Sequence, residues 1–101
     1  MAGRTLDFHP EATIEIEAAV DWYLQRSPDA ADGFVAALNE VLSEVLADPN
    51  RFGVHLKHTR YARLKGYPYL VVFRLIGAVI RIFSVSHTSR RPGYWAKRLH
   101  D

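Results

Sequence analysis

The sequence predicts an α+β domain: a helical hairpin packed on one face of a small, mostly antiparallel sheet. Residues 10–47 place apolar side chains at helical spacing in two stretches, with a proline-led restart between them. Residues 69–86 are β-branched and aromatic, broken only at Gly77-Ala78. Helix and strand signals are segregated along the chain instead of alternating, which favours an α+β arrangement over βαβ units. A chain of 101 residues builds one core, so the expectation is a single domain over 1–101.

Leu6 and Phe8 alternate with Thr5, Asp7 and His9, a short strand signal. His9-Pro10-Glu11 then opens a helix, with proline in the first position and an acid in the first turn. Ala12, Ile16, Ala19 and Tyr23 share one face, with Val20 beside them, and Glu11, Glu15, Glu17 and Asp21 lie off that stripe. The helix is expected to end near Arg26. Ser27 suits the N-cap of a second helix and Pro28 its first turn. Phe34, Leu38, Val41, Leu42 and Val45 belong to an apolar arc wide enough to touch two surfaces, and Asp48-Pro49-Asn50 ends it. Residues 60–65 are a candidate strand, Gly66-Tyr67-Pro68 a turn, and 69–76 and 79–86 a hairpin about Gly77-Ala78. After a polar stretch over 87–93, residues 94–99 suit a short C-terminal helix. The predicted order is β-α-α-β-β-β.

The two-residue turn fixes a register: Ile76 opposite Val79, Leu75 opposite Ile80, Arg74 opposite Arg81, Phe73 opposite Ile82. Val71, Phe73, Leu75, Ile80 and Ile82 then form an apolar face for the helices. Leu70, Val72, Arg74, Arg81, Phe83 and Val85 form the other, continued by His87. Arg63 and Lys65 join it if the preceding turn has an even number of residues. Two arginines directly opposed cost up to ~1 kcal/mol. A phosphate or a partner's carboxylates would compensate. Arg63, Arg74, Arg81 and His87 are therefore expected to face an anion.

Charge is distributed accordingly. Net charge is +2, but residues 1–50 carry ten acids against two bases and residues 51–101 carry eleven bases against one acid. A basic half favours nucleic acid or an acidic protein segment as partner, unless the two halves simply attract each other. At 49% hydrophobic the chain is too apolar for disorder. It has no cysteine, hence neither disulfide nor thiolate metal site. His55 and His58 lack a supporting acid nearby, and no phosphate loop or nucleophile motif is present, so no metal or cofactor is expected. The opening residues lack the apolar run of a signal peptide, and no stretch approaches the ~20 apolar residues of a membrane span. The expectation is a cytoplasmic protein that does not engage a membrane.

Nearly the whole chain resembles the RelE/ParE toxin superfamily. The resemblance lies in Ala12, Ile16, Ala19, Trp22 and Tyr23 ahead of Ser27-Pro28; in Phe34 to Leu46 closed by Asp48-Pro49; and in Arg63-Leu64 before Tyr69, Val71, Phe73 and Arg74. Its strongest part is the close, Ile82 to His87 followed by Arg90, Arg91, Pro92 and Trp95. The resemblance implies the toxin of a bacterial type II toxin–antitoxin module, a growth inhibitor neutralised by a cognate antitoxin. His87, Arg90, Pro92 and Trp95 resemble the ParE or plasmid-stabilisation branch, whose members inhibit DNA gyrase. On that reading Arg63, Arg74, Arg81, His87, Arg90, Arg91 and Trp95 bind the target or the antitoxin. The RelE branch cuts mRNA on the ribosome, where Arg63, Arg81 and His87 would be catalytic: the chemistry needs a base, an acid and charge stabilisation. Of the basic set usual before the central strand, only Lys57, His58 and Arg60 are present. A non-enzymatic antitoxin-binding module with decayed toxicity is a third reading. The sequence does not decide between monomer and homodimer.

Overall fold

A computed structural model describes residues 3–100 of the chain. A five-stranded mixed sheet in the order β1-β5-β4-β3-β2 carries two antiparallel helices on one face. The strands are β1 (Thr5–Phe8), β2 (Gly53–Val54), β3 (Arg60–Arg63), β4 (Tyr69–Ile76) and β5 (Val79–His87); the helices are α1 (Pro10–Leu24) and α2 (Pro28–Ala47).

Both helices begin where the sequence places them, and each cap is made by a side chain. His9 Nδ1 accepts from Glu11 N–H at 3.0 Å, and Ser27 Oγ accepts from Ala30 N–H at 3.4 Å. α1 stops two residues short of Arg26, which turns back to donate to the Trp22 carbonyl at 3.1 Å. The wide arc of α2 supplies much of the core: Phe34, Leu38, Val41, Leu42 and Val45 are buried against Val71, Phe73, Ile80, Ile82 and Val85. From α1 only Ala12 and Ala19 are fully covered, so α1 lies close to the sheet on small residues.

β4 and β5 pair as the turn dictates, from Ile76↔Val79 to Phe73↔Ile82, with Gly77 at φ 61°. There the register shifts: Val72 pairs with Ser84, leaving Phe83 as a bulge. A one-residue shift exchanges the faces of everything beyond it. Val85, expected on the arginine face, instead pairs with Val71 and is buried in the main core. His87 pairs with Tyr69, 5.5 Å between ring centres, and Tyr69 packs on Phe34 of α2. His87 therefore stands on the helix side of the sheet, a correction to the sequence-based register.

Other departures are local. β1 lies parallel to β5, with Asp7 beside Arg81, and so occupies one edge of the sheet. The pairing of Arg63 with Leu70 puts Arg63 on the face of Val72 and Arg74. Lys65 does not follow it, because its ammonium reaches back to Glu40 on α2 at 3.1 Å. The expected terminal helix is a 3-10 segment, Ala96–His100.

Candidate functional site

The face away from the helices resolves part of its own charge conflict. Arg74 and Arg81 are opposed as predicted, each 5.9 Å from the Phe83 ring centre. Arg81 pairs with Asp7, delivered by the parallel β1, and Arg74 donates to the Lys57 carbonyl. The compensation sought in a partner thus comes from within the chain for Arg81, whereas the buried Nε of Arg74 has no hydrogen-bond partner among the described residues. Arg63 is exposed on this face, and Arg91 is exposed near it. Trp95 is 2% exposed, with its ring centre 5.8 Å from that of His55, and it belongs to a second, smaller core over this face.

A groove opens on the other side, between α1 and the edge of β5. It has a volume of about 440 Å³, a floor that includes Ala18, Ala19, Tyr23 and Tyr69, and a rim formed by Trp22, His87 and Arg90. Trp22 is 48% exposed, with the Arg26 guanidinium 3.3 Å from its ring centre. His87 Nδ1 accepts from Ser89 N–H at 3.0 Å. Of the predicted site residues, the structure brings His87 and Arg90 together here, sets both with Arg91 and Trp95 around a smaller pocket of about 70 Å³ beside Leu70 and Val72, and keeps Arg63, Arg74 and Arg81 on the face away from the helices.

At one end of the groove lies a cluster that residue spacing alone did not reveal. β1 pairs with β5 only as far as Ile82, so the next residues of β5 have an edge without a neighbouring strand. Glu15 of α1 covers it. One carboxylate oxygen accepts from Val85 N–H at 3.0 Å and from Arg98 at 3.0 Å; the other accepts from the Tyr94 hydroxyl. Arg98 also donates to the Phe83 carbonyl at 2.9 Å, and the Tyr94 hydroxyl lies 3.2 Å from Ser84 Oγ. Glu15 and Arg98 are 14% and 13% exposed. Burial alone would lower the pKa of Arg98, but the Glu15 carboxylate outweighs it and the net shift is upward. Burial raises the Tyr94 phenol above its usual 10.0, and Glu15 as acceptor adds to the rise. The sequence signal was Glu15 bracketed by Ala12 and Ala19, small residues that let a carboxylate approach the sheet edge.

The sign of the Tyr94 shift sets a pH dependence. A proton held more tightly in the folded state contributes stability that is complete below the unfolded value and is lost as pH rises through the folded one. Stability is therefore expected to fall in the alkaline range above pH 10.0. Tyr23 and Tyr69, also raised by burial, share in the effect. Tyr94→Phe should flatten part of this alkaline limb in denaturant unfolding measured against pH; an unchanged limb would show that the Tyr94 phenol is not involved.

The family model for the ParE toxin of the type II toxin–antitoxin system parDE matches residues 6–92. This chain belongs to the ParE toxin family. The matched span runs from β1 past the end of β5, so the ParE family fold includes both helices and the sheet. A chain from the chromosomal ParDE toxin–antitoxin system of P. aeruginosa is similar in structure, with a TM-score of 0.72 at 20% identity. The alignment covers 83% of this chain and 95% of that one, and at this identity it speaks for the ParE-like fold. No match is found among curated protein sequences. Among the described residues, no helix of this ParE-family chain is long and apolar enough to cross a membrane.

Proposed function

We propose that this toxin acts by a protein–protein contact that inhibits DNA gyrase, and that a cognate antitoxin neutralises it. The observation that carries the choice of target is the division of the basic set by the sheet. A ribonuclease that drives a 2′-hydroxyl onto its own phosphate needs base, acid and charge stabilisation converging on one phosphate. The His87 ring packs on Tyr69 at the end of β5, Arg63 and Arg81 stand on the face away from the helices, and Arg81 is already neutralised by Asp7. Membership of the ParE family supports the same reading.

The antitoxin is assigned to the α1–β5 groove. Its apolar floor suits a segment that is disordered alone and folds on binding, and His87 and Arg90 on the rim suit carboxylates on that segment. Arg63 and Arg91, exposed elsewhere, remain for the target.

Purified toxin is tested on supercoiled plasmid with gyrase and, separately, on programmed ribosomes. Accumulated gyrase–DNA breaks with intact mRNA are expected. The His87→Ala and Arg63→Ala variants should each lose less than about tenfold in potency, since a contact spreads its energy over several residues. Codon-spaced mRNA cuts that either substitution reduces by about 10²–10⁴-fold would establish the nuclease instead.

A further inference from the structure

Residues 88–100 form a strap around the open edge of β5. It leaves the sheet on the groove side at Arg90, lays Trp95 on the far face, and returns Arg98 to Glu15. Its backbone hydrogen bonds are distinctive. Thr88 N–H donates to Pro68, and from there the backbone bonds described stay within the segment and its root: Arg90 to His87, Tyr94 to Arg91, Ala96 to Gly93, Arg98 to Trp95. Among the described residues, the backbone of 89–100 is therefore tied to the rest of the molecule only at the end of β5, where Ser89 and Arg90 N–H donate to His87, and side chains make the other ties. The main core cluster contains no strap residue, and the strap's one deeply buried side chain, Trp95, packs separately on the far face.

We infer that Glu15, Tyr94 and Arg98 are a latch, and that the strap opens as a unit while the helical hairpin and sheet stay folded. Segments with few backbone ties and little share in the core open at lower free energy than the whole molecule. A nearly buried ion pair gives such a segment an all-or-none fastening. Loss of one partner leaves the other charge poorly solvated, and the strap can relieve that by swinging into water. Gly93, at φ +79°, lies just ahead of the fastened residues. Opening frees the Phe83 carbonyl from Arg98, uncovers Ser84 and the far face beneath Trp95, and displaces Arg91 and Lys97, which travel with the strap. Glu15 thus acts as a positioning residue for the basic C-terminal surface. Because it also lines the groove, occupancy there and the state of the strap are read by one carboxylate. The inference concerns the free protein and does not depend on which target the toxin acts upon.

The test is amide exchange together with limited trypsin digestion of the full chain. Glu15→Gln keeps an acceptor for Val85 N–H but removes the charge held by Arg98. Exchange in 89–100 and cleavage after Lys97 should rise on the order of tenfold to a hundredfold, with exchange in α2 and β4 changed less than about twofold. Arg98→Met, which breaks the latch from the strap side, should give the same pattern and serves if Glu15→Gln does not fold. Tyr94→Phe should fall between parent and Glu15→Gln. An equal rise throughout the molecule in both charge variants would show that the strap is not a separable unit. Unchanged exchange and cleavage in the strap would show that Glu15 does not hold it.

Discussion

Phe73→Ala is expected to remove ~3–5 kcal/mol of stability, a large part of the ~5–15 kcal/mol available to a small domain. Phe73 is fully buried, pairs with Ile82 on β5 and meets the Phe52 ring edge-on at 5.9 Å. It is the last β4 residue before the register shift, so a void there opens where the backbone is already irregular. Core walls relax only partly, which adds a cavity cost to the lost transfer energy. Denaturant unfolding measures it, with Ile76→Ala, 51% exposed at the hairpin tip, as the matched apolar deletion and a cost expected within about 0.5 kcal/mol. A loss below about 1 kcal/mol for Phe73→Ala would contradict its place in the core.

Phe73 was legible because two local rules sufficed. Alternation put it on the apolar face, and a two-residue turn set its partner. The same rules gave Arg74 opposite Arg81, and the helix starts followed from Pro10, Ser27 and Pro28. Legibility ended where a decision depended on something distant. The bulge at Phe83 adds one residue to β5 without any glycine or proline to announce it. That residue was enough to carry Val85 into the core and His87 to the groove. The partner of Arg81 was unreadable for a different reason: Asp7 lies 74 positions away, and nothing in a four-residue strand says which edge it joins. Glu15 was read as lying off the apolar stripe of α1, and its nearly buried role rests on the sheet edge left open where β1 ends. Local periodicity thus fixed the apolar faces as far as Ile82, while the bulge decided the faces beyond it and β1 helped decide which polar side chains meet.

Those meetings locate the surface with the largest expected effect on binding. Trp22→Ala is expected to weaken antitoxin binding by about 2–4 kcal/mol, roughly 30- to 1,000-fold. Trp22 is half exposed on the rim of the α1–β5 groove, steadied by the Tyr23 ring edge-on at 4.9 Å and by the Arg26 guanidinium. Being held before binding, it loses little side-chain freedom when a partner covers it, while its exposed area is large. Few residues combine those two properties, and tryptophans that do dominate interfaces. The fold itself should hardly notice the change, because Trp22 lies outside the main core cluster. Titration calorimetry with the proposed cognate antitoxin measures the loss. Val54→Ala, 68% exposed on the opposite edge of the sheet, is the control and should alter affinity by less than about threefold. Binding by the parent should also weaken as salt rises, since Arg90 borders the same groove and exposed charges are screened over about 10 Å at 0.1 M. If Trp22→Ala binds within threefold of the parent and salt has no effect, the antitoxin does not occupy this groove, and the face that carries Arg63 becomes its docking surface.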